Sequence, residues 1–96
     1  MKLRFRTEAL RQLEEADSQE FSEAVTERYR SRINLIRSAP DERDFYALKS
    51  LHYEKLSGDR AHQRSMRLNQ QWRLILEFEG EGADKTVVII AIEDYH

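Results

Sequence analysis

The sequence predicts an α+β fold: a helical pair laid on one face of a small, mostly antiparallel sheet, in the order β-α-α-β-β-β. Three observations point there. Phe21, Val25, Tyr29, Ile33 and Ile36 recur at helical spacing. Two runs, 63–69 and 72–79, alternate apolar and polar residues and are joined by Asn69-Gln70-Gln71. A last run, Thr86 to Ile92, is apolar on both faces and reads as an interior strand.

The elements follow in order. Residues 2–6 alternate, with Leu3 and Phe5 on one side and Lys2, Arg4 and Arg6 on the other, which suits a half-buried strand with a cationic wet face. Thr7 can cap a helix over 8–16 that offers Leu10 and Leu13 to a core, with Glu8 in its first turn. Ser18 is positioned to cap the second helix, whose other face mixes Glu20, Glu23, Glu27, Arg28, Arg30 and Arg37. Ala39-Pro40 ends it, because proline disfavours helix in the residue before it. Phe45-Tyr46-Ala47-Leu48 must dock its apolar groups as a packed loop or a single helical turn. Residues 52–56 read as short and extended, and Ser57-Gly58-Asp59-Arg60 as a turn. In the second hairpin strand Trp72, Leu74, Leu76 and Phe78 share one face, and Arg73, Ile75 and Glu77 the other.

Ninety-six residues suffice for one small domain, 1–96, with one modest core. The absence of cysteine excludes disulfides and thiolate metal sites. The first residues lack the apolar core of a signal peptide, and no apolar run approaches a membrane span. A cytoplasmic protein is expected. The net charge of −2 hides a pattern. Residues 1–48 balance to −1, residues 49–73 to +4 and residues 74–96 to −5. The middle stretch adds His52 and His62 to its basic residues. Such a cluster can attract a polyanion, although the whole chain steers it weakly.

The chemistry concentrates at the end of the last strand. Glu93-Asp94-Tyr95-His96 brings carboxylates, a phenol and an imidazole to one edge of the sheet, together with the terminal carboxylate. These groups transfer protons near neutral pH. If the last strand lies beside strand 72–79, they share a concave surface with Arg67 and Arg73, to which the preceding loop adds His52, Lys55 and Arg60. That mixture suits cleavage of RNA by its own 2′-hydroxyl, which needs a base, cations for the phosphorane and an acid for the leaving 5′ oxygen. Neither added water nor a metal is required. The three histidines have no ligand spacing, and the glycines form no phosphate-binding pattern. Trp72 shares register with Leu74 and belongs to the core, while His62 sits in a turn.

Leu51-His52-Tyr53-Glu54-Lys55-Leu56-Ser57-Gly58-Asp59-Arg60, Ser65-Met66-Arg67-Leu68-Asn69, Gln71-Trp72-Arg73-Leu74 and the terminal Glu93-Asp94-Tyr95-His96 together resemble the HigB branch of the RelE/ParE toxin superfamily. The resemblance implies the toxin of a type II toxin–antitoxin system: a metal-independent endoribonuclease that cuts mRNA in the ribosomal A site. It implies functional positions at His52, Arg73, Asp94, Tyr95 and His96, with Lys55, Arg60 and Arg67 as phosphate contacts and no cofactor. A HigA-like helix-turn-helix antitoxin is the implied partner, along with the ribosome and mRNA, and the toxin–antitoxin complex would bind operator DNA through the antitoxin. The acidic balance departs from the basic character of relatives. Two other readings of the same fold stay open: a ParE-like gyrase inhibitor, and a non-catalytic or decayed interaction module.

Overall fold

A computed structural model of the chain describes residues 1–94. Five strands form one sheet in the order β1-β5-β4-β3-β2. They are β1 (Lys2–Phe5), β2 (Glu54–Lys55), β3 (Gln63–Arg67), β4 (Trp72–Glu79) and β5 (Thr86–Asp94). β1 runs parallel to β5, and the other neighbours are antiparallel. The expected helical pair is present as α1 (Glu8–Gln12) and α2 (Glu23–Ser38). The segment between the helical pair and the hairpin forms α3 (Arg43–Ala47), the single helical turn that is one of the two forms expected there, which buries Phe45 completely, and the two-residue β2 within the stretch expected to be extended. Among the described residues, no helix is long and apolar enough to cross a membrane.

The core lies between α2 and one sheet face. Val25, Tyr29, Ile33 and Ile36 of α2 are buried against Met66, Leu74, Leu76, Val87 and Ile89. Trp72 packs at its margin, edge-on to Phe21 with ring centroids 5.3 Å apart. Tyr29 reaches through the core to donate to the Leu10 carbonyl at 2.7 Å, which ties α1 to α2.

The start of α2 differs from the sequence expectation. Ser22, not Ser18, is the cap, and its Oγ accepts from the Val25 amide at 3.2 Å. Ser18 Oγ instead accepts from the Glu20 amide at 3.0 Å, two residues on, in a local turn. Helix α1 is also shorter than expected, ending at Gln12 with turns beyond it.

A bulge in β5 sets the faces at its end. Ile75 pairs with Ala91, but Leu76 pairs with Ile89, so Ile90 is the extra residue. Strict alternation from the core residue Ile89 would send Glu93 to the helix side and Asp94 to the other. With the bulge, Glu93 stands opposite Arg73, and Asp94 opposite Trp72.

Candidate functional site

The sheet face away from the core is partly roofed by the segment between α3 and β3. β2 opens that roof on the sheet edge, with Glu54 opposite Ser65 and Lys55 opposite Arg64. Cross-strand partners share a face. Ser65, Ile75, Arg67, Arg73 and Glu93 therefore line one surface, and Glu54 joins them. Lys55, paired with Arg64, falls on the opposite register at the exposed sheet edge.

Arg73 is the centre of the arrangement. It lies on the outward register the sequence indicates, yet it is only 6% exposed. Its Nε donates to Ser65 Oγ at 2.9 Å, and its Nη2 donates to the His52 carbonyl. Glu54 lies 3.7 Å away. A guanidinium is held rigidly when several of its fork positions are bonded. Ser65 is fully buried, so its hydroxyl is an acceptor that water does not replace.

Beside Arg73 is a cavity of about 200 Å³ lined by Leu56, Arg60, Ser65, Arg73, Ile75, Glu93 and Asp94. Arg60 bridges its wall. Its Nε donates to Gln63 Oε1 at 2.7 Å and its Nη2 to Glu93 Oε2 at 2.7 Å. Asp94 is on the rim and accepts from Gln71 Nε2 at 3.2 Å. Two of the expected site cations thus each face a carboxylate: Arg60, an expected phosphate contact, with Glu93, and Arg73, an expected functional position, with Glu54. Sequence reading missed both pairings. Glu93 was visible as part of the terminal run, but its face depends on the bulge. Glu54 was visible beside Lys55, and only strand register distinguishes the two.

His52 stands at the border of this cavity. Its backbone is left-handed, with φ 45° and ψ 47°, the one such non-glycine residue among those described. The conformation closes the turn from the 49–51 segment into β2 and presents the His52 carbonyl to Arg73. The imidazole points elsewhere: its Nε2 lies 3.1 Å from an Arg67 Nη. That pair lines a second concavity with Arg28 and Arg32 of α2, Ser50, Leu68, Asn69 and Gln70. The expected single surface is therefore two adjoining ones. Arg60 and Arg73 share the first, with Asp94 reaching its rim from the opposite register, and His52 and Arg67 share the second. Tyr95 and His96 lie outside the described residues.

Burial pushes the Tyr29 and Tyr53 phenols far above the ordinary tyrosine range. For Tyr53, Glu42 adds to this by accepting its hydroxyl proton at 2.7 Å. Burial, and then the charge of Arg28, lowers the pKa of Arg32.

Comparison with known proteins agrees with the geometry. Residues 3–96 match a family model described as the RelE-like toxin of the type II toxin–antitoxin system HigB. Among solved structures, a YoeB/ParE toxin from Agrobacterium tumefaciens aligns over 100% of both chains with a TM-score of 0.64 and 20% sequence identity. A likeness at that identity speaks for the shared fold. No curated protein gives a significant match. With the motifs, the sheet order and a family match over nearly its whole length, the chain belongs to the HigB-like family of RelE-like type II toxins.

Proposed function

We propose that this protein is a ribosome-dependent endoribonuclease that cuts mRNA in the A site by attack of the RNA's own 2′-hydroxyl. The observation that carries the reading is the cavity that gathers Arg60, Arg73 and Asp94 at the end of β5. In the proposed step the 2′ oxygen bonds to the adjacent phosphorus, and the bond to the 5′ oxygen breaks. A 2′,3′-cyclic phosphate and a free 5′-hydroxyl result. One group takes the 2′ proton and another gives a proton to the leaving oxygen. Asp94, Tyr95, His96 and His52 are the candidates for that transfer. Arg73 and Arg60 carry the charge that gathers on the phosphoryl oxygens. Arg73 suits this role because its buried guanidinium is already oriented, so little reorganisation is needed as charge develops.

Membership of a toxin family implies an antitoxin partner. A HigA-like helix-turn-helix protein fits that role, and operator DNA would be bound through it. The ion pairs at the cavity favour a second reading, a non-catalytic interaction module, because Glu93 and Glu54 already stand against the charges of Arg60 and Arg73.

The experiment is induction of the chain alone in bacteria beside Arg73→Ala and His96→Ala. Growth arrest by the wild type, loss of arrest in both variants, and mRNA cut only when ribosomes are present support the nuclease. A harmless wild type, or arrest that survives both substitutions, overturns it.

A further inference from the structure

The chain has twelve arginines, and among the described residues eight of them have a carboxylate within ion-pair distance. The other four are Arg6, Arg28, Arg32 and Arg67. Three of these, all but Arg6, line one concavity, the one shared with His52, Asn69 and Gln70, and no acidic residue among those described lines it. In a protein of net charge −2, this is a marked segregation.

The concavity is also built rather than incidental. Arg32 is only 9% exposed, and its Nε and Nη2 both donate to the Arg67 carbonyl, at 3.2 and 3.1 Å. β2 covers only Arg64 and Ser65 of β3, so this carbonyl lies past the end of its neighbouring strand and is met by a side chain. Arg67 in turn donates to the Asn69 carbonyl at 3.3 Å and meets the His52 ring. Arg28 is exposed and stands one helical turn before Arg32 on α2, where like charges four apart repel. Three guanidiniums held together with no counter-charge among the described residues leave the field open to an anion from outside.

We propose that this saddle, centred on Arg28, Arg32 and Arg67, is a second phosphate-binding surface that holds the backbone of the RNA strand on the flank of the cleavage cavity. It rests on the RNA reading above and adds the α2 arginines to it. RNA is favoured over an acidic protein segment by continuity with the cavity. Arg67 and Arg73 are direct cross-strand partners, and His52 is bonded to both, through its ring to Arg67 and through its carbonyl to Arg73. A strand laid across that pair meets both surfaces with successive phosphates.

The test is fluorescence anisotropy with a 2′-O-methyl RNA 12-mer, which binds but cannot be cleaved, across a salt series. Each lost phosphate contact lowers the slope of log affinity against log salt by about 0.7 for a single strand. Arg28→Gln is expected to lower the slope by that amount and to weaken binding several-fold at low salt. Arg28→Gln with Arg67→Gln should lower the slope by about twice as much. Arg11→Gln removes the same charge from an exposed site on α1 paired with Glu8, and should leave the slope unchanged. An unchanged slope in Arg28→Gln overturns the proposal, as does an equal fall in Arg11→Gln or a wild type that does not bind. The assay needs no cleavage. If Arg28→Gln lowers the slope while mRNA stays intact in ribosome assays, the saddle stands and the nuclease reading falls.

Discussion

Replacing Ser65 by alanine tests how Arg73 is held. Ser65 is fully buried and its Oγ accepts the Arg73 Nε proton at 2.9 Å. Alanine removes the acceptor without adding volume. A hydrogen bond to a charged group contributes about 1.5–3 kcal/mol, and a buried donor without its acceptor is penalised by desolvation on the same scale. Small domains are stable by only about 5–15 kcal/mol in total. The variant should therefore unfold at lower urea, with an unchanged slope and a loss of about 1.5–3 kcal/mol. Its melting temperature should fall by at least about 6 °C, the lower end for a domain of this size. Growth arrest should weaken further than this stability loss explains, because Arg73 keeps its charge but loses an orienting bond. A loss below about 0.5 kcal/mol would show that this bond is not the one that fixes Arg73.

Other outcomes follow from the same geometry. Ser22→Ala should destabilise the protein by about 1 kcal/mol through loss of the α2 cap, while Ser18→Ala stays within about 0.5 kcal/mol, as urea titrations of the two will compare. His52→Gly relieves a left-handed backbone, so it should hold or raise the melting temperature while reducing growth arrest; His52→Val should lower that temperature, since a branched side chain resists positive φ. The raised phenols of Tyr29 and Tyr53 make the fold sensitive to alkali. Their contribution is fully present below the ordinary tyrosine value of 10.0 and is lost as pH rises beyond it toward their folded values. Tyr29→Phe and Tyr53→Phe should each flatten the decline of stability above pH 10, at the expense of about 1 kcal/mol near neutrality for the missing hydrogen bond.

The sequence carried the framework because its strongest signals are periodic. The Val25, Tyr29, Ile33, Ile36 stripe and the alternating hairpin each select one burial face, and both are seen. Where alternatives were locally equal, sequence reasoning went astray. Ser18 and Ser22 both stand ahead of apolar residues, and the helix begins after Ser22, with Phe21 ahead of it packed against Trp72. The β5 bulge left no mark, because a run that is apolar on both faces does not reveal its register. Asp94 and Glu93 consequently exchanged faces relative to simple alternation. A one-residue question in β2 separated Glu54 from Lys55 in the same way. The cationic saddle was hidden because Arg28 reads as an ordinary polar position of an amphipathic helix and nothing in the spacing singles out Arg32. Only the tertiary fold shows that eight other arginines have a carboxylate partner among the described residues and these do not.

The most direct test of the central claim is cleavage of mRNA on programmed ribosomes by the purified wild-type chain, with the A-site codon carrying either ribose or a single 2′-deoxyribose at the nucleotide to be cut. The account predicts cleavage of the all-ribose message, with a cyclic phosphate on the upstream fragment, and none at the 2′-deoxy position. Equal cleavage of both messages, or cleavage that leaves a 5′-phosphate on the downstream fragment, would contradict it.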